Sequence, residues 1–343
     1  MKMARKVSIV VVIIIISAAA FSTAYYFSLN IASGKRQLVV FCAGSLYIPL
    51  EELAAIYGQR HANVEVVIEP SGSVMAVRKV TELGRRCDVL AVADYRLIPK
   101  MMFTEHADWC IAFASNEVVL TYTNSSRYAD LINSDNWIEV LLKPNVKYGF
   151  SNPNDDPCGY RAVTILGLAS IYYGGPEVFE ELVTEVTNIY AEEVDETLHI
   201  YVPADLEVGG SRLVVRSKSV DLIALLEAGS LDYAFEYRSI AVQHNLSFVE
   251  LPPELSLGSP EHTDFYAKAA IHIMCGTEQE KMIEGAPIVY GVTIPSSAEN
   301  RGDAAEFVKM LISSVGEEVF EGLGQSFLEG PIFIGEVPEE LKV

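Results

Sequence analysis

The sequence predicts an α/β protein of two lobes, with mixed sheets, helices on both faces and a ligand cleft between the lobes. Three observations predict it. From residue 37 onward, short apolar runs of strand type alternate with runs of helical spacing, the pattern of mainly parallel sheets covered by helices. Two longer apolar runs, 117–123 and 287–295, bracket the middle of the chain and read as crossings between lobes. Polar turns rich in serine and glycine follow the strands, where ligands bind in open α/β sheets. The boundaries expected are 36–120 plus 290–343 for lobe I and 121–289 for lobe II.

Lobe I begins with Gln37–Phe41 as a strand, and Gly44-Ser45 forms the turn after it. Pro49 opens a helix to Gly58, since a first-turn position needs no N–H. Leu50, Leu53, Ala54 and Tyr57 share one face of that helix. Val64–Glu69 is the next strand, Pro70-Ser71-Gly72-Ser73 its turn, and Val74–Leu83 its helix. Asp88–Ala91 and Ile98–Phe103 repeat the unit. Both serine turns aim backbone N–H groups and hydroxyls at one end of one sheet, which suits an anion.

In lobe II, Val146–Phe150 is a strand and Arg161–Tyr173 an apolar helix. Between them, Asp155-Asp156-Pro157-Cys158-Gly159 is a turn by composition. Pro176–Glu196 reads as an acidic, solvated helical region. Leu213–Arg216 is a strand, and Ser219 caps a helix to Ala228 with Leu222, Leu225 and Leu226 inward. Asp232–Tyr237 is a strand ending in a polar turn. After the second crossing, Asn300–Leu311 and Glu317–Leu323 are helical.

The net charge of −21 argues against nucleic acid as a partner. The N-terminus is the basic exception: Lys2, Arg5 and Lys6 precede an apolar run from Val7. Residues 1–34 therefore read as a signal peptide, with Ala18-Ala19-Ala20 near a cleavage site, or as a membrane anchor if uncleaved, since the run to Phe27 is about 20 residues long. Either places the body outside the cytoplasm. Cys42, Cys87, Cys110, Cys158 and Cys275 are scattered without metal spacing and read mostly as small buried hydrophobes. The six histidines lie outside the four candidate turns, so a Ser-His-Asp mechanism lacks its base.

Phe41–Tyr47, Pro70–Leu83, Asp88–Met101, Ser151–Arg161 and Tyr233–His244 closely resemble the archaeal tungstate/molybdate-binding proteins, and the resemblance runs in order over 36–335. It implies the two-lobed periplasmic-binding-protein (type II) fold and no catalysis. It also implies no cofactor, a molybdate or tungstate ligand, and an ABC permease as partner. Gly44, Ser45 and Ser73 match the family's anion turns. Asp156, Pro157 and Cys158 match a loop whose carboxylate reaches the metal, making Asp156 the expected direct ligand to Mo or W. Tyr237 matches a hydroxyl donor. One position departs: Ser219 stands where archaeal members carry a glutamate, and the nearest acids, Asp221 and Glu236, do not keep its spacing. That keeps another tetrahedral oxyanion such as sulfate in view. An exported enzyme on the same scaffold is the reading from another class, and the turns offer it only Asp156, Cys158 and Tyr237.

Overall fold

The computed structural model describes residues 35–342. The signal or anchor expected in 1–34 lies outside the described residues. Among the described residues no helix is long and apolar enough to cross a membrane.

Strands β1 (Arg36–Ala43), β2 (Val64–Ser71) and β3 (Val89–Val92) run parallel, with β1 between the other two. Helices α1 (Tyr47–Arg60), α2 (Ser73–Thr81) and α3 (Leu97–Met102) connect or follow them. Strand β1 is apolar on both faces because helices cover both. Leu38, Val40 and Cys42 join the core with Leu50, Leu53 and Tyr57 of α1, whereas Phe41 packs with Ala76, Val77 and Val80 of α2. Strand β4 (Trp109–Asn116) then leads through Glu117 into β5 (Val118–Tyr122). The run expected over 117–123 is β5, and β4, which was not expected from the sequence, precedes it with Glu117 between them.

The second sheet uses β5, β6 (Tyr148–Ser151), β9 (Leu213–Arg216), β10 (Tyr233–Tyr237) and β11 (Ser247–Val249), in the order β11-β5-β10-β6-β9. Helix α4 (Trp137–Leu141) precedes β6, and α5 (Pro157–Tyr173) follows it. Helix α5 has Pro157 at its first position and Asp156 as N-cap, so it begins four residues earlier than its apolar pattern predicts. A buried sequence from Ala162 to Ala169 fits a helix enclosed between two sheets.

The region expected to be helical over Pro176–Glu196 is only partly so. Helix α6 (Glu177–Leu182) is followed by a hairpin of β7 (Tyr190–Val194) and β8 (Thr197–Pro203). Asp195 and Glu196 turn the hairpin with φ of 50° and 66°, values usually taken by Asn-Gly. Tyr190 stacks on Tyr201 at 4.9 Å across it. With β12 (Ala269–Cys275) and β13 (Lys281–Glu284) these strands form a third sheet, β13-β12-β8-β7, which covers α5. The chain between β9 and β12 carries α7 (Val220–Glu227), α8 (Arg238–Gln243) and the short α9 (Thr263–Tyr266).

Strand β14 (Ile288–Thr293) returns to the first sheet between β3 and β4. Helices α10 (Arg301–Leu311) and α11 (Ser314–Gly322) and strand β15 (Ser326–Gly335) follow, completing the order β15-β4-β14-β3-β1-β2. Buried Asp88 ties this return to the first sheet. Its carboxylate accepts Val39 N at 2.9 Å, Asn300 N at 2.9 Å and Glu299 N at 3.1 Å, so a buried charge is satisfied by three donors.

Gly159 sets how closely α5 approaches the end of β6. A Cβ there would lie 2.0 Å from the Ser151 carbonyl oxygen. Gly159→Ala must push helix and strand apart. The expected result is a loss of about 2 kcal/mol or more, read as a lower denaturation midpoint in urea. An unchanged midpoint would mean that the helix start shifts freely.

Candidate functional site

The four turns lie at strand ends, two on each of the two main sheets. Gly44 and Ser45 lie in the 3-10 turn between β1 and α1, and Ser73 is the first residue of α2. Ala43 and Ser71 are register partners on β1 and β2, so the two serine turns are neighbours. The Ser73 hydroxyl accepts Ala93 N at 3.0 Å, which leaves its own hydrogen to donate. Ser45 is partly exposed, and its carbonyl accepts from Gln325 at 2.9 Å.

On the other sheet, Asp156, Cys158, Ser219 and Tyr237 form one cluster, with Pro157 in the first turn of α5. The Asp156 carboxylate lies between two helix starts. Its Oδ1 accepts Cys158 N at 3.2 Å and its Oδ2 accepts Ser219 N at 2.7 Å. A carboxylate at two N-termini gains from both helix dipoles. The two backbone donors that an oxyanion would seek here are therefore occupied by the protein's own carboxylate. Ser219 stands at the N-cap of α7 but makes no side-chain cap. Cys158 is buried, and its thiol reaches Phe235 O and Glu236 Oε1, each at 3.7 Å. Burial, with Glu236 and Asp156 nearby, pushes that thiol well above its ordinary range, so it is no nucleophile near neutral pH.

Two residues of this cluster were not among the site residues expected from the sequence. Glu236 is 1% exposed. Its Oε1 accepts Tyr237 N at 2.8 Å, and its Oε2 is buried without a partner among the described residues. Burial raises its pKa to about 7, against the pull of the Tyr237 N–H and the Ser219 hydroxyl. An acid inside the apolar run Tyr233–Tyr237 is the signal that marks it. Arg161, one turn into α5, donates Nη1 to the Tyr237 hydroxyl, and its guanidinium lies 5.6 Å from the Tyr237 ring centre.

The two sheets meet at Asn116. Its amide donates to Ser239 Oγ at 2.8 Å and to Tyr290 Oη at 2.9 Å, and its oxygen accepts Glu117 N at 3.0 Å. Tyr290 is buried, and burial raises its pKa against hydrogen bonds from Ser45, Asn116 and Gln325. The Ser45 turn is thereby linked to the junction. The histidines stand elsewhere: His199 Nδ1 and His272 Nε2 pair at 2.9 Å on the third sheet. Among the described residues no group of three metal-ligating side chains converges, and all five cysteines are free.

Residues 38–324 match the model of the bacterial extracellular solute-binding protein family. The chain belongs to that family. An uncharacterized solute-binding protein of Staphylothermus marinus is 48% identical over 321 residues, covering 93% of this chain and 90% of that one. The molybdate/tungstate-binding protein WtpA of Pyrococcus abyssi is 46% identical over 313 residues, covering 89% of each chain. The periplasmic molybdate-binding protein of Azotobacter vinelandii superposes with a TM-score of 0.54 at 15% identity, over 85% of this chain and all of that one. The fold is the two-lobed type II periplasmic-binding-protein arrangement, and the protein works outside the cytoplasm as a binding component rather than a catalyst.

Glu236 makes stability depend on pH. An acid whose pKa is higher folded than unfolded holds its proton more tightly in the native state. Its contribution is complete below the ordinary value of 4.5 and is lost as pH rises through about 7. Glu236→Gln keeps the shape and removes the titration. It is expected to melt higher than the unaltered protein at about pH 8, with the gap closing toward about pH 5. A gap of constant size across that range would contradict the assignment.

Proposed function

We propose that the protein captures molybdate or tungstate in the cleft and delivers it to the permease of an ABC importer. The site comprises Gly44, Ser45 and Ser73 on one side and Asp156, Pro157, Cys158, Ser219 and Tyr237 on the other. Lobe I is 36–120 with 290–343, and lobe II is 121–289. The observation that carries the reading is the convergence of the α5 and α7 N-termini on one carboxylate beside the Tyr237 hydroxyl. The similarity to WtpA over most of both chains supports it.

Asp156 acts in this reading as an internal stand-in for the anion. It holds the Cys158 and Ser219 N–H groups oriented toward one point. A dianion beside an ionised carboxylate is repelled unless the carboxylate bonds the metal centre. Asp156 therefore turns from N–H groups to Mo or W as the oxyanion takes its donors. Ser219 brings a hydroxyl instead of a second charge, so the remaining contacts are hydrogen bonds to oxygen atoms. Hinge closure then dries the cleft and strengthens each of them.

Tungstate at about 100 times its dissociation constant is expected to add about 2.7 kcal/mol of stability, a melting shift of several degrees, with a smaller shift for sulfate. No shift at micromolar tungstate would reject the reading. Ser219→Glu is expected to raise the preference for tungstate over sulfate, measured by competitive titration. Equal ratios in both proteins would remove Ser219 from the contact shell.

A further inference from the structure

Arg161 has a chemical setting that the site described above does not use. It is partly buried in the first turns of α5, and its guanidinium lies 5.5 Å from the Tyr160 ring centre and 5.6 Å from that of Tyr237. Among the described residues its side-chain hydrogen bond is to the Tyr237 hydroxyl, and it forms no ion pair. It lines a cavity between the lobes with Asp94 and Arg96 from the first lobe and Tyr160 and Thr164 beside it. Asp94 is the carboxylate of the opposite lobe whose field reaches Arg161. Asp94, however, is already held by Arg96, with Nε and Nη2 each at 3.0 Å from its oxygens. Glu284 also lines this cavity, so its two guanidinium groups face two carboxylates, and Arg161 is the cation among them without an ion pair of its own among the described residues.

Two consequences follow from elementary chemistry. A phenol has one hydrogen, and an oxygen that accepts from a guanidinium must send that hydrogen elsewhere. The Tyr237 hydrogen has no acceptor among the described residues, so an acceptor in the cleft would satisfy it. The charge balance is the second consequence. The guanidinium is a permanent cation, and it lies against the hydroxyl that an oxyanion would meet. A ligand that accepts from this hydroxyl feels that charge in proportion to its own.

We propose that Arg161 is a positioning residue of the anion site: it fixes the Tyr237 hydroxyl toward the cleft and supplies the charge that selects a dianion over a monoanion. This rests on the oxyanion reading of the same site, and extends it from shape to charge. The test titrates the full extracytoplasmic chain with tungstate and with perrhenate, a tetrahedral oxyanion of nearly the same size and half the charge. Coulomb energy is proportional to ligand charge, so Arg161→Gln is expected to weaken tungstate about 100-fold and perrhenate about tenfold. Arg161→Lys keeps the charge and loses the planar fork, so both anions should weaken while tungstate stays preferred. Equal loss for both anions in Arg161→Gln, or loss of the preference in Arg161→Lys, overturns the proposal; the lysine variant alone decides if the glutamine variant does not fold. An unaltered protein that binds neither anion rejects the oxyanion reading itself and this inference with it. One that binds both, with a preference indifferent to residue 161, rejects the inference alone.

Discussion

The arrangement of both lobes depends on the hydrogen bonds of Asn116. It ends β4, it is 2% exposed, and it joins Ser239 at the start of α8 to Tyr290 on the returning strand β14. A buried amide left without these partners costs about 1–3 kcal/mol for each orphaned group, so the junction has little freedom to rearrange piecemeal. Glu117, the next residue, lies 3.4 Å from Arg238, and Arg238 in turn reaches Gly324 O at 3.1 Å. Both crossings, the start of α8 and the loop before β15 are therefore held by one polar seam. Ser45 lies near Tyr290, and its carbonyl accepts from Gln325 at 2.9 Å, so the turn after β1 sits beside this seam.

A protein of net charge −21 that takes up an anion needs its donors organised locally. Long-range attraction is absent, so the acidic surface slows encounter rather than weakening the bound state. Local organisation comes from helix starts: α5 and α7 aim their N–H groups at a single point, and Asp156 keeps them aimed by occupying them. Preorganised donors cost nothing to reorient when the ligand arrives, which is how a small enclosed site overcomes an unfavourable exterior.

Much of this was legible in the sequence because the governing signals are local. Alternating apolar runs gave the parallel units of the first lobe, whereas Asp156-Pro157, read as part of a turn, opens a helix through capping and the missing proline N–H. The β7–β8 hairpin was not legible. Its turn residues, Asp195 and Glu196, take positive φ without glycine or asparagine to announce it, and Glu192 and Glu193 mimic a solvated helix face. Strand β15 was missed because its pattern, mostly exposed on an edge, lacks the alternation of a half-buried strand. Arg161 and Asn116 act through partners 76 and 174 residues away, and no spacing rule in one sequence pairs such positions.

With Ser219 rather than an acid at the start of α7, the acidity near Asp156 sits elsewhere. A glutamate at the helix start would put an ionised group in direct contact with the ligand, beside Asp156. Here the second acid is Glu236, which comes from β10 and lies beside Cys158 and Ser219, its Oε2 without a partner among the described residues. Burial holds it near half-protonation at neutral pH, so it adds less than a full charge behind the contact layer. A half-protonated acid one layer back repels a dianion far less than an ionised one in contact, because Coulomb energy falls with both charge and distance. In the proposed site Ser219 thus brings a hydroxyl and an N–H to the oxygens of the anion, and Asp156 is the carboxylate proposed to meet the metal.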